Sequence, residues 1–188
     1  MYKRQAEDLE DTPSLRATVS EAKCFRAQSY FLLYRTFDRI WLNIQPTTAE
    51  NVNDPRDFHA ASEKEVFDLI YEDLEYAITN LDWVSDEAGR FTQAAARHMK
   101  AKAALWLKDW DTTLEQVEEI EKSGHFDLIA LNEVFNARDL NHKEALMVQQ
   151  WSKNPGGNLS NATPKGNYYA AYFIAQYLSL IHISEPTR

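Results

Sequence analysis

The chain has 188 residues, 44% of them hydrophobic and 26% charged, with 5 glycines, 6 prolines and 12% aromatic residues; this balance suits one helical globular domain and argues against disordered, collagen-like or loop-rich β chains. The formal net charge of −9 works against nucleic acid and anionic lipid as partners, since both are polyanions. A lone cysteine, Cys24, excludes an internal disulfide and a thiolate metal site, and no run reaches the roughly 20 apolar residues that a membrane-spanning helix needs.

The ends read differently from the middle. Tyr2-Lys3-Arg4-Gln5 can be encoded as TAT AAG AGA CAG, whose reverse complement reads Leu-Ser-Leu-Ile, the residues at 178–181. The longer string Leu178–Arg188 (LSLIHISEPTR) resembles translated sequencing-adapter DNA, and residues 1–5 fit its opposite strand. Residues 1–5 and 178–188 are therefore expected to be adapter, and 6–177 a partial domain open at both ends. Without Lys3, Arg4, Glu185 and Arg188, 17 basic and 28 acidic residues remain, for a net charge of −11.

Within 6–177, Ser20 is placed to cap a helix from Glu21 to about Phe37, with Phe25, Leu32, Leu33 and Phe37 spread around its girth as in a helix buried between neighbours. From Asp38 to Ala60 no period is clear, and Pro46, Pro55 and the Asn/Asp residues mark a long connection with a short extended piece at Ile40–Ile44. Loops this long are usually functional or ordered by a partner. Ser62-Glu63-Lys64-Glu65 then forms a capping box, and Val66, Leu69, Ile70, Leu74, Ala77, Ile78 and Leu81 recur at helical spacing. After the loop Trp83–Arg90, Thr92 opens a helix whose Ala95, Ala96, Ala101, Ala103 and Ala104 admit a close neighbour. Asp109-Trp110-Asp111 turns a corner, Leu114, Val117 and Ile120 continue, and Ser123-Gly124 stops the pattern.

A helix pair of about 34 residues with small residues and an aromatic corner is the tetratricopeptide pattern. Thr92–Gly124 fits it, with Thr113 where alanine is usual, while Glu21–Leu81 fits only with 38–60 as an insertion. The helical scaffold is thus assigned to about 20–124. The loop-rich segment, about 125–177, holds an extended Phe126-Asp127-Leu128, an apolar run Glu144–Trp151 of strand or short helix, a polar loop Lys153–Asn167, and Tyr168, Tyr169, Tyr172 and Phe173.

The words of the sequence resemble a known family in order. Glu21-Ala22-Lys23-Cys24-Phe25-Arg26-Ala27 with Tyr30-Phe31-Leu32-Leu33 resembles the EAxFLRAxYYFxLV block of the SusD/RagB family. Ser62–Val66 with Asp73–Ala77 and Leu81 looks like its second helix, and Gly89–Ala96 with Lys100-Ala101 and Asp109-Trp110 looks like its GRxTKGAAxALLAKxYLxxxDW block. Asn141-Lys143-Glu144-Ala145-Leu146 resembles its NxExIF segment. The usual Tyr-Gly-x-x-Pro-Leu after the first helix is here Thr36–Leu42, so that turn is expected to differ. The resemblance implies a mainly α, tetratricopeptide-like scaffold and a non-catalytic cell-surface lipoprotein of the Bacteroidetes type. Such a protein binds oligosaccharide or polysaccharide and sits as a lid on a TonB-dependent, SusC-like transporter of the outer membrane. Its only membrane tie would be an N-terminal lipid anchor outside this fragment, because Cys24 lies within a helix and no apolar leader precedes it.

Glycan capture needs flat aromatic faces against sugar C–H groups, with amides and carboxylates to meet the hydroxyls. Trp151 with Asn154, Asn158, Asn161, Tyr168 and Tyr169 has that composition, although an ordinary loop around one core tryptophan has it too. Trp41 and Trp83 stand at loop margins, where packing is the ordinary role of an indole; Trp41 is also a candidate sugar contact. Trp106 and Trp110 read as core and corner residues of the repeat. No enzyme, metal or cofactor signature emerges: His59, His98, His125 and His142 lack ligand spacing, no GxSxG or phosphate loop occurs, and no particular carboxylate pair is singled out for glycoside hydrolysis. Glu118, Glu119 and Glu121 read as a solvated face. The rival class is a helical-repeat adaptor that binds a protein and no sugar.

Overall fold

The computed structural model describes residues 11–134, apart from 38, 46, 56, 57 and 88, together with 142–148, all within one compact unit, Met1–Val148. Residues 1–5 and 178–188, and most of the loop-rich segment, lie outside the described residues. Among the described residues the chain forms helices and no strand: α1 (Pro13–Phe37), α2 (Glu63–Asn80), α3 (Gln93–Leu107), α4 (Trp110–Lys122) and the single turn α5 (Leu131–Val134). The mainly α expectation holds.

Helix α1 starts two turns earlier than Ser20 suggests. Thr12 is its cap, with Oγ1 accepting from the Leu15 amide at 3.2 Å, and Pro13 follows at the first helical position, where its missing N–H is no loss. Ser20 is interior and donates to the Arg16 carbonyl at 2.8 Å. The buried stripe is also not the one expected. Ser20, Lys23, Cys24, Ala27 and Tyr34 face inward, whereas Phe25, Leu32 and Phe37 are 60, 60 and 65% exposed. Small residues on the inner stripe let α2 come close, and the bulky residues are left on the outer flank.

Helix α2 follows the sequence closely. Ser62 caps it in a full capping box with Glu65, and Val66, Phe67, Ile70, Leu74, Ala77 and Ile78 are buried. Leu69 is only partly so. The α3–α4 hairpin forms as expected, capped by Thr92 and Asp109, with Lys108 in the left-handed region (φ 61°) turning the corner. Ala94, Ala95, Ala96, Ala101, Ala103 and Ala104 are buried where α3 lies between α2 and α4. On α4, Leu114 and Val117 are exposed, and the inward positions are Gln116 and Ile120. Gln116 is buried because its Oε1 accepts from Arg97 Nη1 at 2.9 Å.

Trp106 is half exposed rather than core; its ring meets Phe31 edge-on at 6.3 Å. Trp110 does stand at the corner, exposed, and Trp83 packs as expected, against His125 and under the Arg97 guanidinium. Ile40–Ile44 and Phe126–Leu128 join no ladder, and the described part of the Glu144 run, 144–148, is irregular. Asp127 N–H instead makes one bond to the Lys143 carbonyl at 3.3 Å. With no neighbouring strand to satisfy its backbone, an apolar run cannot be read as a strand from periodicity alone.

Candidate functional site

A few ionisable groups on the helices are buried and committed to packing. Asp73, fully buried, accepts from Lys23 Nζ at 2.7 Å and from Arg26 Nε and Nη2 at 2.6 Å each, which joins α1 to α2; the bonds to Asp73 push the Arg26 guanidinium up from its ordinary value. Lys100 of α3 pairs with Glu75 of α2. Cys24 is sealed in the core, and burial, helped by Asp73 and Glu21, pushes its thiol up to about 12, so it is no nucleophile. Burial and Lys102 lower His98. No group of His, Cys, Asp and Glu among the described residues could hold a metal ion.

The loop between α1 and α2 is different. Its neck is closed where the Ala61 amide donates to the Ile40 carbonyl at 2.8 Å, and Ile40 and Ala61 are themselves buried. The Asn43 amide donates to Tyr30 Oη at 3.0 Å, which ties the loop to α1, and Tyr34 Oη donates to Glu63 at 2.9 Å, which ties α1 to the start of α2. Further out, Asn51 Oδ1 accepts from the Thr48 amide at 2.7 Å, Thr48 Oγ1 accepts from the amides of Glu50 and Asn51 at 3.2 Å, and the Asp54 amide donates to the Asn51 carbonyl at 3.2 Å. These side-chain turns substitute for regular structure.

The result is an open cleft of about 390 Å³. Trp41, Leu42, Ile44 and Pro55 supply its apolar surface, and Asn43, Gln45, Thr47, Asn51, Asp54 and His59 its polar groups. Phe58 stacks obliquely on Trp41, ring centres 4.7 Å apart at 55°, and steadies the indole. A flat aromatic wall next to amide, hydroxyl and carboxylate groups is the chemistry that a sugar ring requires.

Of the residues expected to touch a ligand, the structure describes Trp41 alone. Trp151, Asn154, Asn158, Tyr168 and Tyr169, with Asn161, lie outside the described residues. The sequence reading missed Phe58, Asn43, Asn51, Asp54 and His59. Their signal was present only as the length of the loop and its Asn/Asp punctuation, because nothing local says that Phe58 returns to Trp41.

A curated SusD-like protein from Bacteroides ovatus is 28% identical over 145 residues, covering 71% of this chain and 26% of that protein. Among solved structures, a SusD-like protein from Bacteroides fragilis superposes with a TM-score of 0.70 at 25% identity, over 80% of this chain and 30% of that one. The chain is similar to SusD-like proteins in both sequence and fold. No family model matches it. A further structure, solved with a xylogluco-oligosaccharide, matches this chain with a TM-score of 0.63 at 24% identity, over 80% of this chain and 32% of that one. The chain thus spans about a third or less of the length of the relatives it matches. The tetratricopeptide-like hairpins described above are the scaffold it shares with them.

Proposed function

We propose that this SusD-like chain is part of a non-catalytic, cell-surface glycan-binding protein that captures oligosaccharide or polysaccharide for import through a TonB-dependent, SusC-like transporter. An N-terminal lipid anchor outside the fragment would tie it to the outer membrane. The observation that carries the reading is the match over 80% of the chain to a structure solved with a xylogluco-oligosaccharide. The cleft at Trp41 supports it, since its walls have the composition of a sugar contact. Trp151, Asn154, Asn158, Tyr168 and Tyr169 are proposed as further contacts on composition alone.

Affinity electrophoresis and calorimetry against a panel of plant, fungal and bacterial glycans test the reading, using the chain in the longest form its gene encodes. At least one glycan is expected to bind and to leave unchanged in mass, and Trp151→Ala is expected to weaken it. A protein that binds no glycan but captures a protein partner would establish the adaptor class instead. Release of shorter sugars would establish a hydrolase.

A further inference from the structure

The cleft beside Trp41 has an uneven charge. Among its described lining residues Asp54 is the one carboxylate, and there is no lysine or arginine; the other polar walls are Asn43, Gln45, Thr47, Asn51 and His59. Asp54 is exposed and lines the cleft, on a turn that its own amide closes onto the Asn51 carbonyl. Trp41 is likewise held, by Phe58 on its ring and by the loop neck at Ile40 and Ala61. A volume of about 390 Å³ lies at the small end of ligand clefts, which run from roughly 300 to 1,000 Å³.

We infer that this cleft is a subsite for an uncharged sugar unit, stacked on Trp41 and hydrogen-bonded by the Asn51 and Asp54 side, and that it disfavours units bearing a uronate or sulfate. The inference rests on the glycan-binding reading above and adds the location and the ligand class. A neutral pyranose offers C–H faces to the indole and hydroxyl donors to the carboxylate, which accepts hydrogen bonds and gives none. An acidic unit brings a second anion toward Asp54, and no lysine or arginine among the described lining residues offsets it. At about 6 Å and in water-like dielectric that repulsion is worth roughly a factor of three in affinity, and more where the sugar excludes solvent. The chain's net charge of −9 acts in the same direction at longer range.

The test is calorimetry at fixed ionic strength with neutral oligosaccharides (xylogluco-, laminari- and manno-oligosaccharides) and acidic ones (oligogalacturonides and sulfated oligosaccharides) of matched length. Binders are expected among the neutral sugars. Trp41→Ala should weaken them about tenfold and Trp41→Phe less, with circular dichroism showing both variants folded, while Asp54→Asn should shift the acidic-to-neutral affinity ratio at least about threefold toward the acidic sugars. Unchanged affinity in folded Trp41→Ala would overturn the subsite and leave the glycan-binding reading standing. Acidic sugars bound as tightly as neutral ones, or a ratio that Asp54→Asn does not move, would overturn the selectivity. Wild-type protein that binds no sugar in either set or in the wider glycan panel would overturn both this inference and the reading beneath it.

Discussion

Asp73 shows how much a single side chain carries here. It is fully buried at the α1–α2 contact, where two cations, Lys23 and Arg26, meet it, and Lys23 also lies 3.8 Å from Glu72 and 5.1 Å from the Tyr76 ring. Removing one member of a buried ion cluster strands the others without water. Asp73→Ala is therefore expected to destabilise the fold by about 3 to 5 kcal/mol, read as a lowered urea midpoint with the slope unchanged. Cys24 gives a second prediction at this scale. Because the thiol is sealed and held up to about 12, Cys24 should resist a thiol reagent at pH 8 in the folded protein and react fully once urea unfolds it. Rapid labelling of folded protein would contradict the packing of α1 against α2. Neither property is written locally in the sequence. Lys23-Cys24-Phe25-Arg26 reads as an ordinary helical stretch until α2 supplies the carboxylate.

Helix starts were the most legible elements, because a cap is a contact between residues three apart. Ser62 with Glu65, Thr92 with Ala95 and Asp109 with Thr112 all close the hydrogen bonds that their spacing announces. The same bonds make acid stability predictable. Hydrogen bonds from the Ser62 hydroxyl and amide hold the Glu65 carboxyl below its ordinary value, and those from Thr112 do so for Asp109. A carboxyl lowered on folding contributes stability that is fully present above its unfolded value, 4.5 for Glu65 and 3.8 for Asp109, and is lost as pH falls through the lower folded value. Thermal midpoints from pH 7 to 3 should thus fall less steeply below pH 4.5 in Glu65→Gln than in wild type, with a lower starting point at pH 7. An identical acid limb in the variant would rule out the capping box as its source. The α1 start was misread because Ser20 looks like a cap, although Thr12-Pro13 carries the stronger pair of signals.

At the scale of the whole molecule, the helices bury one continuous core and leave bulky apolar residues outside it. Phe25, Leu32 and Phe37 on α1, Leu105 and Trp106 on α3, and Trp110 and Leu114 on α4 are all exposed. Apolar side chains exposed in this way offer places for a hydrophobic dye to bind. The isolated 188-residue chain is accordingly expected to bind a hydrophobic dye while folded. Leu32→Glu combined with Trp106→Glu should lower that fluorescence without altering the helical circular dichroism, and dye binding that ignores these two substitutions would mean that these side chains are not its source.

By itself the sequence determined the helices, their caps, the α3–α4 hairpin with its alanine seam, and the family resemblance, because all of these are carried by contacts within a few turns of chain or by blocks of words in order. It also located the long loop between α1 and α2. Only the tertiary structure decided which face of α1 is buried, that Lys23, Arg26 and Asp73 form one cluster, that Gln116 lies inward against Arg97, and that Phe58, Asn51 and Asp54 stand around Trp41. The physical reason is the same in each case. Burial and charge pairing are set by the neighbour that arrives from a distant part of the chain, and a helix with apolar residues all round its girth does not say which side that neighbour will take.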